Sequence, residues 1–345
     1  MVALAQGRGL VIDMFAGGGG ASVGIRRAIG RDVDIAVNHD PLAIAMHAAN
    51  HPHTVHVQED VFSVNLTEYT HGRHVSFMWA SPDCTHFSRA RGGKPRSQHI
   101  RMLPWAVYEQ AKAVRPDVIA MENVEEIRTW EDYDAFVASM SVLGYTFESR
   151  VLCAADFGAR TSRTRWYAVL RCDGLPSRWP KRTNANKSQL LHTIEPDTWP
   201  LRTWKSVRPC LDLKNLGDKV FGRRRPLSKK TLARIAKGTE RYCNGVDTQW
   251  LMSYYGTGVG QSIHDPLRTI TCKDRFALVT KARDGLHMRM LTPKELLLAQ
   301  GFPETYVIDH YKDGTRVPKA EQVRRIGNAV VPLMAERIVR ANVAA

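Results

Sequence analysis

Apolar residues in the first 170 positions gather in short runs, and the segments between several of these runs repeat them three or four apart. The runs GLVIDMF, VDIAV, TVHVQ, VSFMWA, DVIAM, YTFESRVL and RWYAVL have the length and composition of strands. Between them, PLAIAMHAAN and YDAFVASMSVL carry helical spacing. Alternation at this interval predicts a mostly parallel α/β sheet covered by helices on both faces. From about Leu175 the order is lost: Pro176, Pro180, Pro196, Pro200 and Pro209, with four tryptophans between 166 and 204, break the periodicity and mark an insertion or second domain. Helical order returns at LTPKELLLAQGF, where Thr292 can cap, Pro293 suits the first helical position and Glu295 completes a capping box. The stretch GNAVVPLMAERIVRANV reads as one final amphipathic helix.

Charge sharpens this division. The 345 residues carry a net charge of +15. Residues 171–290 hold 24 Lys and Arg against 10 Asp and Glu, a net of +14, while the rest hold 25 against 24. So local an excess points to a polyanionic partner, nucleic acid ahead of an anionic membrane. No apolar run approaches a membrane span, and the opening MVALAQGRGLVIDMF leads directly into a strand pattern, so a cytoplasmic, DNA-associated address is expected. The six cysteines form no CxxC pair, which indicates free thiols, with neither a zinc site nor a disulfide framework. The histidines of HPH at 51–53 and nearby His56 read as solvated loop residues, and no metal is expected.

Candidate chemistry collects at the ends of the strands. DMFAGGGGASVGI places glycines 17 to 20 at the carboxyl end of the first strand, where open α/β sheets bind ligands. Glycine there permits positive φ and close approach to the backbone. Without GKS or GKT a phosphate-binding Walker loop is not indicated; a nucleotide-type fold and a plain tight turn both use such a loop. Asn38, His39 and Asp40 follow the second strand and Glu59 and Asp60 the third; such groups serve ribose and adenine, or cap helices. Cys84 lies on the turn that leaves the fourth strand. After it come Gly92, Gly93 and four positive side chains between 89 and 96, as in a loop that closes over DNA or an exposed turn. The fifth strand ends in Glu122 and Asn123. Arg163 and Arg165, two apart, share one face if TRTRWYAV is a strand.

Taken in order, the glycine loop, SPDC, MENVEEI at 121–127, ARTSRTRWYAV at 159–169 and RRIGNAVVP at 324–332 resemble the DNA cytosine-5 methyltransferases. The form SPDCTHFSRARGGKP is most similar to phage and prophage members. The resemblance covers most of the chain outside about 180–250. It implies a Rossmann-like S-adenosylmethionine-dependent methyltransferase core at 1–175, with a C-terminal return at 310–345 and an inserted smaller target-recognition domain at 176–309. It assigns Asp13, Phe15, Ala16, Gly17 and Gly19 to the cofactor loop. Asn38, His39, Asp60, Val61, Pro82 and Asn328 complete the S-adenosylmethionine site, with Asp60 accepting from the adenine amino group. Asn38 stands where an acidic ribose ligand is usual, and Asp40 is the alternative.

The same resemblance implies that Cys84 adds to C6 of a flipped-out cytosine while Glu122 holds N3. It sets Arg163 and Arg165 by the base O2 and the carboxylate, with Arg165 on the base. Thr161 replaces the usual glutamine. The partner implied is double-stranded DNA, contacted by Ser88, Arg89, Arg91 and Lys94 beside the nucleophile and by Arg223, Arg224 and Arg225 in the insertion. A tRNA cytosine-5 methyltransferase and a DNA-binding protein with an impaired core are the competing readings. Asp83 takes the place of a second proline. A carboxylate about 4 Å from the sulfur, at an effective dielectric near 20, costs the thiolate roughly 4 kcal/mol. Its side chain is therefore expected to turn away, toward a backbone N–H or an arginine.

Overall fold

A computed structural model describes residues 9–83, 102–192, 201–243, 248–254, 258–311 and 313–343. Cys84, Ser88, Arg89, Arg91 and Lys94 lie outside them. Seven strands form the main sheet: β1 (Leu10–Met14), β2 (Ile35–Val37), β3 (Val55–Val57), β4 (Val75–Ala80), β5 (Val118–Asn123), β6 (Thr146–Cys153) and β7 (Thr164–Arg171). Their order is β3-β2-β1-β4-β5-β7-β6. The first five run parallel, and β7 lies antiparallel between β5 and β6.

Alternation along the strands feeds two cores. Leu10, Ile12 and Met14 face one, Val11 the other, because successive side chains point to opposite faces. With helices on both faces the central strands read as continuous apolar runs, and that is why they are visible in the sequence. The connecting helices are α1 (Gly20–Ile29), α2 (Pro41–Asn50), α3 (Leu66–Thr70), α4 (Leu103–Val114) and α5 (Tyr133–Val142). Leu66, Val107 and Phe136, from α3, α4 and α5, cover the first face.

An extension carries α6 (Lys187–His192) and the short parallel pair β8 (Asn184–Ala185) and β9 (Arg202–Thr203). A second, antiparallel sheet has the order β10-β14-β13-β11-β12, built from β10 (Asp218–Lys219), β11 (Gln249–Ser253), β12 (Gly260–Ser262), β13 (Phe276–Ala282) and β14 (Gly285–Met290). Helix α7 (Lys229–Tyr242) lies on it, where Gly238 leaves room for the Trp250 ring: a Cβ there would stand 2.0 Å from it. Helix α8 (Pro293–Gln300) begins with the expected capping box of Thr292 and Glu295. Glu295 also accepts from Arg289 on β14 at 2.7 Å. Leu296, Leu297, Phe302 and Tyr306 share one core with Val23 and Met46 and with Leu251 and Phe276 of the second sheet. The segment after residue 290 therefore packs both on the second sheet and on helices α1 and α2 of the first.

The final amphipathic stretch is two helices, α9 (Lys319–Asn328) and α10 (Pro332–Asn342). Pro332 disfavours helix at Val331, so 329–331 run extended and α10 starts afresh with proline at its first turn. Val330, Met334, Ala335 and Ile338 then cover the second face of the main sheet. The approach to α1 is close: a Cβ on Gly24 would lie 2.2 Å from the Pro332 carbonyl, and one on Gly20 2.4 Å from that of Val330. No described helix is long and apolar enough to cross a membrane.

Candidate active site

The carboxyl ends of the parallel strands open into a cleft of about 450 Å³. After β1 the chain turns through Phe15 (φ +62°), Gly17 (φ +51°) and Gly19 (φ +87°) into α1. Phe15 holds this left-handed conformation without being glycine, a strained state of the kind that gathers at ligand sites. A Cβ on Gly17 would have only the Phe15 carbonyl within 4 Å, at 3.7 Å. That glycine therefore gives a ligand access to the loop backbone. Asn38, His39 and Asp40 line the cleft after β2, Asp60 and Val61 after β3, and Ser81, Pro82 and Asp83 after β4.

Local bonding sets these groups. Asp60 accepts from the Phe62 N–H at 2.9 Å, and the Asn38 side chain accepts from the Asp40 N–H at 2.9 Å. Asp40 caps α2 through the N–H groups of Leu42 and Ala43 and pairs with Arg325 at 2.6 Å. Burial pushes its carboxyl up, but Arg325 and these N–H donors outweigh burial and hold it below the ordinary carboxylate range.

At the end of β5, Glu122 is 7% exposed, and Arg165 Nε stands 3.2 Å from its Oε1. The approach lacks hydrogen-bond alignment, so Oε1 is an ion-paired but unbonded acceptor. Asn123 ties two strand ends together: its Nδ2 donates to the Pro82 carbonyl at 3.1 Å, and its Oδ1 accepts from the Val124 N–H at 2.8 Å. Arg163 lines the cleft and donates to the Ile270 carbonyl at 3.0 Å. Asn328 lines it too, and its Oδ1 accepts from the Cys272 thiol at 2.7 Å.

A model of the family described as C-5 cytosine-specific DNA methylase matches residues 10–343. The chain belongs to that family. Among curated relatives of this methylase is the Type II methyltransferase M.SacI of Streptomyces achromogenes, 23% identical over 96% of this chain and 92% of its own. The tRNA (cytosine(38)-C(5))-methyltransferase of Spodoptera frugiperda is also 23% identical, over 93% and 95%. Among solved structures, an E. coli prophage-encoded protein assigned as a DNA modification methyltransferase superposes with a TM-score of 0.63. It is 21% identical, and the match covers 96% of this chain and 98% of that one. At that identity the likeness shows the fold.

Set beside the sequence expectations for this methylase, Phe15, Ala16, Gly17, Asn38, His39, Asp60, Val61, Pro82 and Asn328 line the cleft, with Glu122 and Arg163. Asp13 and Gly19 do not. Asp13 is fully buried behind the loop, accepting from Ser22 Oγ at 2.6 Å, and Gly19 turns toward Tyr306. Arg165, expected by the base, stands beside the carboxylate: Glu122 pairs with Tyr167 across β5 and β7, which puts Arg165 two residues on along the same face. The RRR triplet divides as well. Arg223 donates to the carbonyls of Lys219, Asp218 and Met288, fastening β10 to β14, while Arg224 and Arg225 are exposed. Asp83 is exposed at the cleft margin.

Sequence reasoning missed Arg324 and Arg325 in the cleft wall. RRIGN carried them in the quoted motif, but only the fold puts Asp40 opposite. It also missed a groove of about 750 Å³ between β9 and the loop after β12. The groove is lined by Arg160, Lys187, Arg202, Lys205, Arg268 and Trp204, with Asp265 the one acidic side chain among its lining residues.

Proposed function

We propose that the protein methylates C5 of cytosine in double-stranded DNA, with S-adenosylmethionine as methyl donor and Cys84 as nucleophile. The observation that carries the reading is the Glu122–Arg165 pair, set at a strand end beside a glycine-looped cleft, with Asn123 joined to the turn that leads into Cys84. The cleft suits the cofactor in size and in its polar wall: the Gly17 backbone is open to contact, and Asn38 and Asp60 offer acceptors for ribose and the adenine amino group. When bound, S-adenosylmethionine supplies an electrophilic methyl group.

The chain's own residues do the rest. The Cys84 thiolate forms a bond to C6 while Glu122 delivers a proton to N3, which leaves C5 as an electron-rich enamine carbon. Once C5 has been methylated, the N3 proton returns to Glu122. Loss of the C5 proton to solvent, with the C6–S pair going back to sulfur, restores the ring. Arg165 holds the Glu122 carboxyl in place, and Arg163 lies within the cleft wall for the base. The base has to leave the duplex first, since C6 is closed to attack within the stack.

Duplex DNA is favoured over tRNA by the family description, which is of a DNA methylase, and by the Type II methyltransferases among the curated relatives; the charge in residues 171–290 and the cationic groove suit either polyanion. Duplex DNA bearing 5-fluorocytosine, with S-adenosylmethionine, should yield a denaturant-resistant protein–DNA complex that Cys84→Ala does not form. Trapping on tRNA alone would overturn the DNA assignment, and no trapping on either would overturn the enzyme. Bisulfite sequencing of DNA from an expressing host would read out the recognition sequence.

A further inference from the structure

Tyr306 comes from the segment after α8, 288 residues from the loop it touches, and is 6% exposed. Its hydroxyl donates to the Gly18 carbonyl at 2.6 Å. A Cβ on Gly19 would lie 2.2 Å from the same oxygen, so the hydroxyl fills the space that this glycine leaves. Gly18 lines the cleft between two residues of positive φ. Its flanking peptides could rotate were the carbonyl not held.

The tyrosine is itself held. Asn50, at the end of α2, donates to the Val307 carbonyl at 2.8 Å and accepts from the Val307 N–H at 2.8 Å, a reciprocal clamp one residue beyond Tyr306. The Phe302 ring packs on it at 4.8 Å. His51 Nε2 lies 3.4 Å from the hydroxyl, and His51 Nδ1 is 2.9 Å from Asp32. The His47 ring lies against that of His51, with centroids 4.5 Å apart, and His47 Nε2 meets Ser22 Oγ, which meets Asp13. Burial first, then the neighbouring His51 and His56, hold His47 well below the ordinary histidine range, so it is a neutral hydrogen-bonding spacer. The glycine loop is thus gripped from outside by Tyr306 and supported from beneath by Ser22 and His47.

We infer that Tyr306 is a positioning residue for the cofactor loop: its hydroxyl fixes the Gly18 carbonyl and so presents the Gly17–Gly18 backbone to the bound cofactor. The inference rests on the proposed S-adenosylmethionine site and adds a residue outside the cleft lining to it. Because α8 and the segment after it also pack on the second sheet, the same contact ties the cofactor loop to that sheet's position.

Tyr306→Phe keeps the ring and removes one hydrogen bond. With the full-length protein, the Kd and KM for S-adenosylmethionine should rise about three- to tenfold, as befits one lost hydrogen bond. Turnover at saturating cofactor should stay within about twofold of the parent. Phe136→Leu, which loosens the separate core on the first face of the main sheet without touching Tyr306, should lower Tm and leave Kd within about twofold. An unchanged Kd in Tyr306→Phe overturns the inference, and so does an equal rise in Phe136→Leu, which would make the effect general loosening. Failure of the parent protein to bind S-adenosylmethionine overturns the cofactor site itself, and this inference with it.

Discussion

The cleft proposed for the cofactor and the groove beside β9 are both lined by cations, and they use them in opposite ways. In the cleft, Arg324 and Arg325 are engaged by Asp40 and Glu321, and Arg163 by the Ile270 carbonyl. In the groove, the exposed side chains of Lys187, Arg202, Lys205 and Arg268 have no ion-pair partner among the described residues. A paired guanidinium acts as a strut that fixes a wall. Unpaired cations that share a concave surface keep their potential for an anion that arrives from outside. The first pattern suits a site that must hold its shape for a small ligand, the second a surface open to a backbone of phosphates.

The comparison breaks most severely at the chemistry. Glu122→Gln preserves shape and removes the proton that the proposed step moves, so turnover should fall by about 10²–10⁴. S-adenosylmethionine affinity should hold within about twofold. Turnover within tenfold of the parent would take Glu122 out of the reaction. In the groove, Arg202→Glu with Lys205→Glu should weaken duplex binding by on the order of tenfold or more at 0.1 M salt. The slope of log K against log salt should fall by about 0.9 for each phosphate that the variant no longer neutralises. A slope equal to the parent's would mean that no phosphate lies there.

A smaller effect tests whether the cleft cations are struts. Arg325→Ala should cost about 1 kcal/mol in urea unfolding at pH 7, since it strips one of two arginine partners from the half-buried Asp40 carboxylate, which keeps Arg324. Asp40 and Glu321 are both held below the ordinary carboxylate range, Asp40 against the upward push of burial and Glu321 chiefly by its bond to Arg324. Their contribution is therefore complete above about pH 4 and is lost as pH falls through the lower folded values. The difference between parent and variant should shrink between pH 4 and pH 2. A gap constant with pH would show that packing, not charge, is what Arg325 supplies.

The two regions also differ in how legible they are. Strands β1, β2, β4, β5 and most of β7 can be read because burial on both faces leaves apolar runs, the edge strands β3 and β6 being only partly buried, and the glycine loop because positive φ selects glycine at 17 and 19. The capping box at Thr292 is likewise a local signal. What stays hidden depends on distant partners: Asp40 against Arg325 is 285 positions apart, and Gly24 against Pro332 is 308. The role of Arg165 is hidden in the same way, since spacing shows that two side chains share a face without showing what stands across from them. The groove is invisible for a related reason. Its cations come from 160, 187, 202, 205 and 268, and no stretch of sequence brings them together.

The smallest expected effect concerns Asp13, which the family resemblance assigns to the cofactor loop and which lies behind that loop with no exposed surface. Burial, only partly opposed by the bond from Ser22, pushes its carboxyl up to about 7, and its Oδ1 has no partner. An unbonded oxygen in a dry site suits a neutral acid, with Oδ2 still accepting from Ser22 Oγ. In the unfolded chain the same group ionises near 4. The folded state therefore loses stability progressively as pH rises from about 4 to 7, and the loss is constant above that. Asp13→Asn cannot titrate, and its amide can still meet Ser22 Oγ. At pH 5 the two proteins should melt within a few degrees of each other, and from pH 5 to pH 8 the variant should gain a few degrees on the parent. A difference in Tm that does not change with pH would mean that Asp13 is ionised throughout, with a donor to Oδ1 supplied by solvent.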